Sequence, residues 1–136
     1  MFFKKDKNIN NDFSKVAALL IHAAKIDEKY TDAEKEIILK AIMDLDQTNR
    51  EDSQTLLNQA EKKEEESNQI VEFTKEIKKY PMEFRLRVIE IIWKIVYSDK
   101  TNDDYESNLI RRICGLLYVS DADNGIIKKR VQDTLK

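Results

Sequence analysis

Two glycines and a single proline are all that 136 residues contain, against an average combined share of roughly 12%. A sandwich or barrel of short strands needs turn formers at every reversal, and this chain lacks them. What remains is a set of helices joined by short polar corners. Hydrophobic residues at 41% supply a core and charged residues at 37% supply solvent faces, so a mean hydropathy of -0.61 does not signal disorder. The expected class is all-α: a single compact bundle of about seven helices over residues 12–136, behind a flexible N-terminus at 1–11.

Helical periodicity places the elements. Val16, Leu19, Leu20, Ala23 and Ala24 form the first stripe, from about Asp12 to Ile26. Thr31-Asp32-Ala33-Glu34 reads as a capping box opening a second helix to Asp46. A third starts at Thr48, with Glu51 three residues on, and fades into a solvated charged end at Glu61–Glu66. The fourth carries Ile70, Phe73, Ile77 and Tyr80. Pro81 stops it and starts a fifth, apolar almost all round to Tyr97 and expected to be the most buried. A sixth opens around Asp103 and Asp104 and runs through Leu109, Ile110, Ile113, Leu116 and Leu117. A seventh opens at Ser120 and carries Ile126, Ile127, Val131 and Leu135, with Gly125 weakening its first turns.

A shift of 72 residues superposes Val16 on Val88, Asp27 on Asp99, Asp32 on Asp104, Glu34 on Glu106, Ile38 on Ile110 and Leu45 on Leu117. Three of these identities are acidic and fall at the same helix–loop–helix corner. The pattern suggests two three-helix units related by a pseudo-twofold, with the fourth helix linking them. Capping and the helix dipole account for Asp32, Asp104, Glu34 and Glu106 without any further role. Asp27 and Asp99 differ, because each lies at a helix C-terminus, where a carboxylate costs a few tenths of a kcal/mol. A loop amide is one compensating partner. A shared cation is the other, with Asp27, Glu34, Asp99 and Glu106 converging. Oxygen-only ligands select Ca²⁺, Mg²⁺ or Mn²⁺ over zinc. The corners are not EF-hands, since Asp104 and Ile110 stand where glycine and glutamate are required, as do Asp32 and Ile38.

Charge excludes some functions. With 24 basic and 26 acidic residues the net is -2, not the basic excess of a nucleic-acid binder. Residues 1–68 carry 11 basic and 15 acidic groups, and residues 69–136 carry 13 and 11, a polarity suited to docking protein partners. No run is long enough to span a membrane; Phe2, Phe3, Lys4, Lys5 and Lys7 form at most a weak peripheral anchor. No signal peptide is visible and one cysteine fits a reducing cytoplasm. His22 reads as a core-edge residue, and as the only histidine it makes a zinc or Ser/His/Asp site improbable. Cys114 reads as packed and inert. Arg111, Arg112, Lys128, Lys129 and Arg130 read as solvated helix faces, with a docking surface for an anionic partner as the alternative.

The stretch from Trp93 to Ser120, with Tyr97-Ser98-Asp99, Tyr105-Glu106 and Leu109-Ile110-Arg111-Arg112, resembles the TerB-like family named after a tellurite-resistance protein. Ala23-Ala24-Lys25-Ile26-Asp27 through Glu34, and Phe73-Thr74, agree with it. The resemblance implies an all-helical, internally symmetric fold and a metal site mapping onto Asp27, Glu34, Asp99 and Glu106. Glu28 and Lys100 depart from it, standing where the family commonly has glycine. The expected function is a non-enzymatic binding or adaptor module in a cytoplasmic stress-response or envelope-associated assembly, tuned by a divalent cation. The alternatives are a small divalent-ion-dependent hydrolase using the same carboxylates and a purely structural interaction domain.

Overall fold

The computed structural model describes residues 13–27, 30–67, 69–98 and 104–134; the side chains of Asp27 and of residues 104–107 are not among those described. The expectations for residues 1–11, Asp99, Asp103 and Leu135 lie outside this set. Seven α-helices are present among the described residues, and no strand: α1 Phe13–Ala24, α2 Asp32–Asp46, α3 Arg50–Glu66, α4 Ile70–Ile77, α5 Met82–Ser98, α6 Asp104–Leu116 and α7 Asp121–Thr134. A 3₁₀ turn, Lys25–Asp27, extends α1.

The bundle is organised around α1, not α5. Ten of the twelve α1 residues are buried, all but Lys15 and His22, and the helix packs against α2, α3, α4 and α5. Its six consecutive apolar residues, Val16 to Ile21, leave no polar face, and Ala17, Ala18, Ala23 and Ala24 let neighbours approach closely. In α5 a full row, Phe84, Val88, Ile89, Ile91, Ile92, Trp93, Ile95 and Val96, is buried. Arg85, Arg87, Glu90 and Lys94 nonetheless keep one side toward water, so the helix is a wall of the core rather than its axis. Against α5 lie α2, α6 and α7.

Helix ends follow local chemistry. At α2, Thr31 Oγ1 accepts from the Glu34 N–H at 3.1 Å while Glu34 Oε1 accepts from the Thr31 N–H at 2.9 Å. The third helix starts one residue later than Thr48 suggests, because Asn49 is its cap: Oδ1 accepts from the Asp52 N–H at 2.7 Å. Asn49→Ala should therefore cost about 1 kcal/mol, read as a midpoint shift in urea unfolding. This helix does not fade but continues to Glu66. The Pro81 carbonyl accepts from the Phe84 and Arg85 amides, so Pro81 caps α5. Ser120 Oγ accepts from the Asp123 N–H at 3.1 Å and caps α7. Ile126, expected on the core stripe, is 62% exposed, and the α7 core face rests on Ile127 and Val131.

At its C-terminus α6 has a Schellman closure: the Val119 N–H reaches the Cys114 carbonyl at 2.9 Å and the Tyr118 N–H reaches that of Gly115 at 3.4 Å. Tyr118 therefore holds φ 61°, a left-handed position that glycine fills freely and that costs other residues about 1–2 kcal/mol.

Candidate functional site

The first acidic corner, between α1 and α2, is built partly from residues far away in sequence. Tyr30, just before the α2 cap, donates its hydroxyl hydrogen to Glu61 Oε2 at 2.9 Å. One turn further along α3, Glu64 is buried. Its Oε1 accepts from Lys25 Nζ at 2.9 Å and its Oε2 lies 3.2 Å from His22 Nδ1. Lys35 Nζ stands 4.9 Å and Lys25 Nζ 5.6 Å from the Tyr30 ring centre, both at cation–π distance. The outcome is a cluster in which Glu64 meets Lys25 and His22, Glu61 meets Tyr30, and Lys25 and Lys35 lie over the Tyr30 ring. The expectation of a wholly solvated Glu61–Glu66 end is thus corrected at Glu61 and Glu64, because α3 lays that face on α1.

The Tyr30 phenol is pushed well above its ordinary range. Burial is the main cause, followed by the bond to Glu61, which requires the proton to stay on tyrosine, and then by the charges of Glu61, Glu34 and Glu64. The folded state keeps a proton that the unfolded state releases above about pH 10. Stability from this residue is complete below that pH and falls as pH rises, by about 1.4 kcal/mol per unit. Tyr30→Phe should remove this slope between pH 10 and 11 in unfolding titrations, while lowering stability at pH 7 by about 1–2 kcal/mol through the lost bond.

Of the four acidic residues expected to converge, Glu34 is described in full: it is buried and its Oε1 serves the cap. Asp27 ends the 3₁₀ turn and Glu106 lies in the first turn of α6, both with side chains outside the described set, and Asp99 falls outside it altogether. The backbone does bring the two corners' elements together, since the turn Lys25–Asp27 packs against α6. Among the described residues no group of three or more His, Cys, Asp or Glu side chains is spaced to hold an ion.

His22 sits at the core edge, as its place beside the apolar stripe suggests, with its ring on Glu64. Cys114 is buried, and burial, with a smaller contribution from Asp121, pushes its thiol up to about 12, leaving it unreactive at neutral pH. Lys128 lies over the Trp93 ring at 5.1 Å, while Lys129 and Arg130 approach Asp133 and Glu90 at 3.9 and 4.0 Å. Arg111 and Arg112 are exposed. No described helix is long and apolar enough to cross a membrane. Tyr30, Lys25, Glu61 and Glu64 escaped the sequence reading; the available signal was Glu61 and Glu64 at i and i+3, on the side of α3 that Leu57 and Ala60 mark as inward.

No match was found among curated proteins or among solved structures. The family model described as tellurite resistance protein TerB matches residues 13–129, a span that takes in both corners and all but the last five described residues of α7. With that coverage, and an all-helical bundle to go with it, the chain belongs to the TerB family.

Proposed function

We propose that this TerB-family module is a non-enzymatic cytoplasmic adaptor whose two acidic corners bind one divalent cation through Asp27, Glu34, Asp99 and Glu106. The observation that carries the reading is the packing of the Lys25–Asp27 turn against α6, the helix that bears Glu106. The donors are all carboxylate oxygens, a hard set suited to Ca²⁺, Mg²⁺ or Mn²⁺. The cation supplies a link between the halves of the chain, and the residues around it hold that end rigid: Glu61 fixes Tyr30, and Glu64 fixes Lys25 and His22. Protein partners then read the surface so stabilised.

The test is thermal melting of chelator-stripped protein with each ion added in turn. An ion at 100 times its dissociation constant adds about 2.7 kcal/mol, several degrees for a chain of this size. The rise is expected with one hard ion and not in Asp27→Asn/Asp99→Asn. Glu34→Gln keeps an oxygen for the Thr31 amide, so it should retain the cap while weakening the ion response. The Glu34 cap favours a second, purely structural reading of the corners, for which the melts would be flat in every protein.

A further inference from the structure

The two most exposed large apolar side chains among the described residues are Tyr118, at 68%, and Ile126, at 62%. They stand on features of opposite shape. Tyr118 is a knuckle at the end of α6, held in a left-handed conformation that disfavours any side chain. Its ring contact within the fold is with Lys78 Nζ, 5.2 Å from the centroid. Lys78 is thus the cation beside the ring, while Asp121 opens α7 three residues further on. Lys75 and Lys78 share the outer edge of α4 with half-exposed Val71, at i, i+4 and i+7. Arg111 lies two turns before Tyr118 on α6. None of these three cations is ion-paired among the described residues.

Ile126 is on the lip of a groove of about 480 Å³ between the end of α2, the first half of α5 and α7. Its apolar lining includes Leu45, Phe84, Leu86 and Ile127. Arg87 is paired with Asp44 and Arg130 approaches Glu90, whereas the lining carboxylates Glu83 and Asp123 are exposed with no ion pair among the described residues. A projecting aromatic beside Lys78 and a partly apolar groove with Glu83 and Asp123 on its edge are complementary in shape, and Lys78 matches those carboxylates in sign.

We propose that the chain associates with a second copy of itself, Tyr118 of one copy seating in the groove of the next while Lys78 faces Glu83 and Asp123. This rests on the interaction-module part of the proposed function and not on the cation. One knob and one groove cover less than the roughly 1,200 Å² of a stable interface, so association is weak unless it is reciprocal. A reciprocal fit closes into a dimer, and a one-way fit extends into a chain of copies.

Sedimentation of the full chain from about 10 µM to 1 mM in chelator reads this without the cation. Association that grows with concentration and falls in high salt is expected. Tyr118→Gly relieves the left-handed strain, so it should melt at the same or a higher temperature yet associate about tenfold more weakly. Lys78→Glu and Glu83→Lys should each weaken association, and mixing the two variants should restore it. A monomer at every concentration overturns the proposal, as does association that survives Tyr118→Gly. Binding to phosphatidylglycerol-containing vesicles that is lost in Tyr118→Gly, with no self-association, overturns it in favour of a bilayer. The ion melts are read separately, so either idea fails alone.

Discussion

Leu20→Ala is expected to lower stability by about 3–4 kcal/mol and the melting midpoint by roughly 12 °C. Leu20 is fully buried at the middle of α1, the helix that α2, α3, α4 and α5 enclose. Truncation leaves a cavity inside the core, and the helices packed on α1 can close it only by loosening their other contacts. Ile126→Ala removes a similar volume from a 62% exposed position and should change stability by less than about 0.5 kcal/mol. Paired urea titrations would measure both. A loss at Leu20 below about 1.5 kcal/mol would mean that α1 is not the enclosed axis of the bundle.

The second large effect belongs to the ion pair beneath the first corner. Lys25→Met should cost about 2 kcal/mol, because Glu64, with 8% of its side chain exposed, would be left with His22 as its remaining described partner. Lys25 is about one-third exposed, which holds the cost below that of a fully enclosed pair. Glu64→Leu should be milder: leucine suits the buried position, and the freed lysine can extend into water. The double variant should lie closer to Glu64→Leu than to the sum of the singles, with at least about 1 kcal/mol of coupling. Additive losses would show that the 2.9 Å contact contributes nothing to stability.

These two sites also mark what was legible in the sequence. The helices were, because apolar spacing and capping are local: Thr31 with Glu34, and Ser120 with Asp123, each announce a start within four residues. The ranking of helices by burial was less so. Periodicity reports an apolar face, whereas enclosure depends on how many neighbours arrive, and α1 outranked α5 through its alanines and because Lys15 and His22 are its only unburied residues. The partners of Glu64 were not legible, since they lie 39 and 42 residues away, although Leu57 and Ala60 mark its side of α3 as inward. The acidic corners were read as a repeat of residue types, but a repeat does not fix where carboxylates point.

The chain's one tryptophan has a practical consequence. Trp93 is 2% exposed, donates its indole N–H to Asn124 at 2.9 Å, stacks on Tyr97 and lies under Lys128. Its polar contact and its cationic cover both come from α7, so its fluorescence is a single-seam gauge of whether the last helix is docked on α5. A red shift in emission that precedes the loss of helical circular dichroism would catch α7 peeling away while α1 stays enclosed. Coincident changes would show that the last helix and the core melt as one cooperative unit.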